Sequence, residues 1–151
     1  MKIGLISDTH GLLRSEALAA LQGCDQLIHA GDIGKPQILD ALRELAPLIV
    51  VRGNNDNDDT WAAAIPASAI LRSASVGIYV SHELADVPEP LPAGIQVVVT
   101  GHSHRPLIVE RYGVLYINPG SAGPRRFKLP ISVGLLHVEA GTVRGELIEL
   151  G

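Results

Sequence analysis

The sequence predicts an α/β chain that alternates strand and helix at the front and is almost all strand at the back. Three observations carry this reading. Short apolar runs alternate with stretches of helical spacing over the first fifty residues. Glycine and proline then punctuate a series of strand-length apolar runs. No segment long enough to act as a linker separates the two regions.

Taken in order, residues 2–7 form a short apolar run that reads as a buried strand. Residues 15–21 set Ala17, Leu18 and Leu21 on one side of a helix. Residues 26–30 read as a second strand. Pro36 suits the first turn of a second helix carrying Ile38, Leu39, Leu42 and Leu45. Residues 48–51 make a third strand. This order implies parallel pairing with helices on the sheet's faces. Strands then follow at 68–72, 76–81, 95–100, 107–111, 114–117, 132–138 and 143–150, expected to pair antiparallel, with Gly113 and Gly141 at hairpin turns. Residues 86–94 form a proline-rich loop, not a boundary, so residues 1–151 are expected to be one domain.

Composition narrows the function. With 46% hydrophobic and 19% charged residues the chain is not disordered. A single cysteine, Cys24, excludes an internal disulfide framework and a cysteine-built zinc site, and reads as a packing residue. Twelve basic against sixteen acidic residues give a net charge of -4, which argues against an extended nucleic-acid surface. The aromatic residues, Trp61, Tyr79, Tyr112, Tyr116 and Phe127, offer few stacking platforms. The apolar start is too short for a signal peptide, and no run reaches the roughly 18 residues of a membrane span. The expectation is a soluble cytoplasmic protein, in keeping with a reduced thiol. The six histidines stand out.

Five apolar strands are each followed by metal-binding residue types: Asp8-Thr9-His10, Gly31-Asp32, Gly53-Asn54-Asn55-Asp56, Ser81-His82 and Gly101-His102-Ser103-His104. In α/β sheets, ligands bind beyond the carboxyl ends of strands. Asp8, His10, Asp32, Asn54, His82, His102 and His104 are therefore expected around one crevice. In extended chain, residues two apart point the same way, which would aim Asp8 with His10 and His102 with His104. Glycines before Asp32, Asn54 and His102 permit close approach of backbone. Each piece alone has a plain alternative: Asp-x-His and Gly-Asp are common turns, Gly-Asn-Asn-Asp suits a loop, and a lone histidine is usually structural. The ordered set of five at strand ends outweighs these. Carboxylate, imidazole and amide donors suit Mn, Fe, Zn or Ni better than Mg or Ca alone. A phosphate-binding loop is excluded because His29 and Pro36 stand at its required positions, and no nucleophile elbow or dinucleotide fingerprint occurs.

The set Asp8-x-His10, Gly31-Asp32, Gly53-Asn54-x-Asp56, His82 and Gly101-His102-x-His104 resembles the calcineurin-like metallophosphoesterase superfamily. Within it, the small YfcE-type phosphodiesterases are the nearer match, since Asn118-Pro119-Gly120-Ser121 and Pro124-Arg125 fit another block of that branch. The resemblance implies a four-layer α/β/β/α sandwich of mixed sheets and a binuclear metal centre. Asp8, His10, Asp32 and His104 would hold one divalent ion. Asp32 would bridge to a second, completed by Asn54, His82 and His102. Manganese is favoured, with Ni, Zn, Fe or Mg as alternatives. The implied function is a hydrolase: a phosphodiesterase that cleaves a small or nucleotide-like phosphodiester with a metal-bridging hydroxide. A phosphomonoesterase or nuclease on the same centre is the alternative, and a non-catalytic binding scaffold, as in the similar retromer subunit, the more distant one.

Asn55, Asp56 and Arg105 are the further catalytic candidates, Asp56 as a partner of the ligand shell or a turn acceptor, and Arg105, with Arg125, as phosphate contacts or ordinary surface charges. His10 and His104 are expected to fix their second ring nitrogens on neighbours. His29 and His137 read as structural. Many relatives carry histidine at position 55, where it protonates the leaving oxygen; Asn55 cannot do so. Glu83 and the three prolines of residues 83–94 also depart from the pattern and are expected to reshape a pocket rim or a subunit interface. A homo-oligomer is left open.

Overall fold

The computed structural model describes residues 1–56, 60–73 and 75–151. The first strands are β1 (Lys2–Ile6), β2 (Gln26–His29) and β3 (Leu48–Val50), paired in parallel as their alternation with helices requires. The helices α1 (Ser15–Ala20) and α2 (Pro36–Arg43) make the two crossovers. Pro36 opens α2, which buries Ile38, Leu39 and Leu42. Both helices lie on one face of the sheet, where Ala17, Leu21 and Leu42 pack with Ile6, Leu27 and Val133.

A second sheet covers the other face. It comprises β4 (Ser68–Ser73), β5 (Val76–Ser81), β6 (Ile95–Val99), β7 (Leu107–Arg111) and β8 (Val114–Asn118), in the order β4-β5-β6-β8-β7. The main core lies between the sheets, with Ile3, Leu5 and Ile28 against Ile78, Val80, Val97, Val99 and Ile117. Each such aliphatic side chain contributes about 1.5–3 kcal/mol on burial. Residues 82–94 run over the outer face of the second sheet with a single 3-10 turn, Leu84–Asp86, and lay Val87 and Leu91 on Tyr79, Ile95 and Val98. The layers are thus helices, sheet, sheet and a thin outer cover, the α/β sandwich of mixed sheets that the motifs implied.

The pairing of the back half differs from the antiparallel expectation. The strand β5 pairs parallel to β6, and β6 parallel to β8. The last strands, β9 (Ser132–Glu139) and β10 (Thr142–Glu149), return to the first sheet beside β1, giving β10-β9-β1-β2-β3. Parallel neighbours need a connection of about a dozen residues or more, which 82–94 supplies without a helix. This arrangement gives β1, β2, β3, β5 and β6 the shared feature of a parallel neighbour, so that their carboxyl ends can meet at one edge of the sandwich. The two hairpins form as the glycines suggested: Tyr112–Gly113 and Ala140–Gly141 have φ of 51° and 78°, and 51° and 79°. Among the described residues, no helix is long and apolar enough to cross a membrane.

Candidate metal centre

The strand-end loops hold an unusual backbone. Asp8, His10, Asp32, His102 and His104 have φ of 56°, 46°, 58°, 71° and 62°, the left-handed region that non-glycine residues enter at a cost of about 1–3 kcal/mol. Bonds between loops offset this cost. Asp8 N–H donates to Gly31 O (2.9 Å), His10 N–H to Asp32 O (2.9 Å) and Gly101 N–H to His82 O (3.0 Å). The extended-chain argument for shared direction therefore does not apply. Asp8 and His10 still converge, but His102 and His104 divide between two groups.

One group is Asp8, His10 and His104, with donor atoms all within 4.8 Å of one another; the other is Asp32, His82 and His102, equally close. Ser7 Oγ (2.7 Å) and the His102 N–H (3.1 Å) donate to Asp8 Oδ2 and so direct Oδ1 inward. Oδ1 is buried without a hydrogen-bond partner, 3.4 Å from His104 Nε2, 3.8 Å from His10 Nε2 and 3.9 Å from His82 Nε2. His10 and His104 bring their Nε2 atoms within 3.4 Å. Asp32 Oδ2 lies 3.3 Å from His82 Nε2 and 3.7 Å from His10 Nε2, between the two groups. His82 Nδ1 is held 2.7 Å from Ala30 O, which leaves a buried, unpartnered Nε2 facing the carboxylates. Asn54 Oδ1 stands 3.2 Å from His102 Nδ1.

This donor set fits two divalent cations. Orphaned Asp8 Oδ1 and His82 Nε2 face one another across buried carboxylates, and hard oxygen and imidazole donors alternate around the same space. The cradle also excludes side chains at two glycines. A Cβ on Gly53 would strike Asp32 Oδ1, and one on Gly101 would strike Ser7 Oγ and Asp8 Oδ2.

Electrostatics without metal follow from the same contacts. Burial raises the Asp32 pKa, but the nearby His82 imidazole, the Asn55 N–H and the charges of His82 and His10 outweigh it and hold the carboxyl at about 2. Burial lowers the His82 pKa, but the Asp32 carboxylate 3.3 Å away and the Asp8 charge outweigh that, and the net shift is upward. For His10 burial wins, against Asp32 and Asp8, and its pKa falls.

The other sequence candidates lie around this centre. Asn55 donates its N–H to Asp32 Oδ1 (2.9 Å) and its amide Nδ2 to Oδ2 (3.2 Å). Buried Asp56 faces backbone, accepting from the N–H groups of Ile33 (3.1 Å), Gly34 (3.3 Å) and Gly53 (2.9 Å); it ties the Asp32 loop to the Asn54 turn. Arg105 is exposed on the rim of a neighbouring cavity. Arg125 donates to Leu129 O (3.4 Å) and Gly151 O (2.9 Å), toward the chain's end. His104 Nδ1 is buried without a partner, so the expected second contact is absent there; His82 makes one instead. Asn118 anchors the histidine loop through Gly101 O (2.9 Å) and Ser103 Oγ (3.1 Å), and Ser121 Oγ donates to Asp8 O (3.0 Å). His29 is structural, its Nδ1 accepting from Gly31 N–H (3.0 Å) and its Nε2 donating to Thr9 Oγ1 (3.0 Å). His137 pairs with Glu146 on the β9–β10 hairpin at 2.9 Å.

Sequence reasoning missed Arg126, whose charge lowers the His10 pKa, and the closeness of Glu83 Oε1 to His102 Nδ1, 3.6 Å. Arg126 follows Arg125 in the motif block, and that adjacency was the available signal.

Residues 1–141 match the model of the calcineurin-like phosphoesterase superfamily domain. A probable metallophosphoesterase of Methanothermobacter thermautotrophicus is 31% identical, the alignment covering 100% of this chain and 94% of the relative. The phosphodiesterase YfcE of Escherichia coli is 30% identical over 90% of this chain and 87% of its own; the solved structure of the Escherichia coli phosphoesterase superposes with a TM-score of 0.72 at 26% identity, covering 100% of both chains. Vacuolar protein sorting 29 of Cryptosporidium parvum shares the fold, with a TM-score of 0.74 at 19% identity over 98% of this chain and 96% of its own.

Proposed function

The chain belongs to the calcineurin-like phosphoesterase superfamily and is a phosphoester hydrolase, and from that premise we propose a phosphodiesterase acting on a small or nucleotide-like diester with two divalent ions. Asp8, His10 and His104 would hold one ion, His82, His102 and Asn54 the other, and Asp32 would contribute to both. The observation that carries this is the pair of donor groups meeting at Asp8 Oδ1 and Asp32 Oδ2. When bound, the ions supply Lewis acidity toward phosphate oxygens and lower the pKa of water. Two divalent charges exceed those of Asp8 and Asp32, so a diester anion is attracted. Asn55 orients Asp32 and has no proton to give to a leaving oxygen. Asp56 acts from behind, by holding the two loops in register. Both sheets contribute ligands, which supports reading residues 1–151 as one catalytic unit. A scaffold without chemistry would not need this complete donor set.

The test is a screen of diesters and monoesters against purified protein loaded with Mn, Ni, Zn or Mg. Diester turnover with manganese, exceeding monoester turnover, is expected. No turnover with any of the four ions, in protein that binds none after reconstitution, would overturn the reading.

A further inference from the structure

Beside the metal centre lies a cavity of about 230 Å³ that shares His102 with it. Its floor is the outer face of the second sheet at the largely exposed β7 and the neighbouring β8, whose Tyr116 packs against the outer cluster. Leu107, Val109 and Arg111 alternate along β7, Tyr116 stands opposite Val109 on β8, and Leu84 closes the side from the 3-10 turn. Leu107 and Leu84 are 55% and 52% exposed, so apolar surface faces solvent within reach of a charged centre. Two arginines flank it, Arg105 at the mouth and Arg111, whose guanidinium carbon lies 5.7 Å from the Tyr116 ring centre. The ion pairs among the described residues all involve histidine, so neither guanidinium has a carboxylate partner there.

We propose that this cavity is the specificity site for a planar aromatic arm of the substrate bearing a second negative charge, seated while the phosphoryl group faces His102. The volume is below the roughly 300–1,000 Å³ of sites that enclose whole drug-sized ligands, which suits one ring, with the phosphate outside. The aliphatic wall and Tyr116 take the ring's faces, and the two arginines, without a carboxylate partner among the described residues, take its charge. The proposal rests on the phosphodiesterase reading and deepens it by naming the substrate class.

Calorimetry on manganese-loaded protein separates the two. The probes are methylphosphonate, phenylphosphonate and 4-carboxyphenylphosphonate. Wild type should bind the phenyl probe about tenfold more tightly than the methyl probe, the scale of a stacked ring, and the carboxyphenyl probe more tightly still. Val109→Trp, which fills the cavity, should erase the phenyl preference while elemental analysis finds the same manganese content. Arg111→Ala, an exposed change, should erase only the gain from the carboxylate. Equal binding of the phenyl and methyl probes by wild type would overturn the proposal, as would a phenyl preference that survives Val109→Trp. A solution dimer dispersed by Leu107→Asp would assign the face to a second copy and also overturn it. Phenyl preference in a protein that loads manganese but cleaves no diester would retain the cavity assignment and defeat the phosphodiesterase reading; diester turnover without the preference would do the reverse.

Discussion

Asp8 and Asp32 are both buried carboxylates, but their oxygens are used differently. Asp8 has one oxygen fixed by Ser7 and the His102 amide and one free, whereas both oxygens of Asp32 are positioned by Asn55 and one lies between the two histidine groups. Asp32→Asn removes the charge that both ions share in the proposed centre, so metal content should fall well below two per chain and activity by orders of magnitude. His104→Ala should empty one site first. Elemental analysis after reconstitution distinguishes them, and full metal with wild-type turnover in Asp32→Asn would refute the bridging role. Asn55 bonds Asp32 through its amide and carries no acidic proton. Rates should therefore depend steeply on leaving-group pKa, with aryl diesters fast and alkyl diesters slow. Asn55→His trades the amide bond to Asp32 for an acid that contributes about 10²–10⁴-fold when well placed. The gain should be confined to poor leaving groups and fade as pH rises above the new imidazole's pKa, provided metal content is retained. A leaving-group series on both proteins checks this, and a flat wild-type dependence would mean that another group donates.

At the scale of elements, the centre depends on loops being tied to one another more than on the strands that carry them. Asp56 accepts from three amides, those of Ile33, Gly34 and Gly53, and so couples the loop after β2 to the turn after β3. Asp56→Ala leaves those donors without their acceptor and should lower the stability of metal-free protein by about 3 kcal/mol, on the scale of losing bonds to a buried charge. Asp56→Asn should recover part of that loss. Denaturant titration in chelator reads both, and an unchanged midpoint for Asp56→Ala would remove the tie. This coupling was beyond sequence reasoning, which saw Asp56 only as a ligand partner or a turn acceptor, because two of the three partners, the amides of Ile33 and Gly34, lie more than twenty positions away in the chain. What was legible follows from short-range physics. Apolar runs marked all ten strands, Pro36 marked the start of α2, and the glycines before Asp32, Asn54 and His102 marked where backbones crowd. The pairing of β5 with β6, and the return of β9 and β10 to the first sheet, depend on partners chosen across the whole chain, and an apolar run reads alike in parallel and antiparallel sheets. The left-handed turns at Asp8 and His102 were hidden for a similar reason, since these residues adopt them only when neighbouring loops hold the backbone there.

For the molecule as a whole, the buried titratable groups make stability depend on pH in a way that metal reverses in part. His29 is fully buried with both ring nitrogens engaged, and burial, opposed by Asp8 and Asp56, lowers its pKa to about 4. Its folded pKa is below its unfolded value of about 6.5, so its contribution is complete above 6.5 and is lost as pH falls from there to about 4. A shift of that size is about 3 kcal/mol. Asp32, held at about 2, contributes above the ordinary carboxylate range and loses that contribution only below it. His82 has the opposite sign: its raised pKa stabilises metal-free protein below about 6.5, and that contribution disappears as pH rises through the folded value. Bound metal needs His82 Nε2 without its proton, so the stabilisation gained from manganese should grow with pH until His82 no longer holds one. Metal-free wild type should therefore lose stability on acidification from pH 6.5 to 4, with His29 the fully buried contributor and His10, whose pKa is also lowered, adding to the same limb. His29→Gln, which keeps a donor for Thr9 but cannot titrate, should make that limb shallower, leaving the part due to His10, whatever its absolute stability. The measurement is chemical unfolding across this range, with chelator and with manganese, for both proteins. Identical acid slopes would show that His29 is not the group responsible, and a manganese effect that did not rise with pH would show that His82 gives up no proton to bind metal.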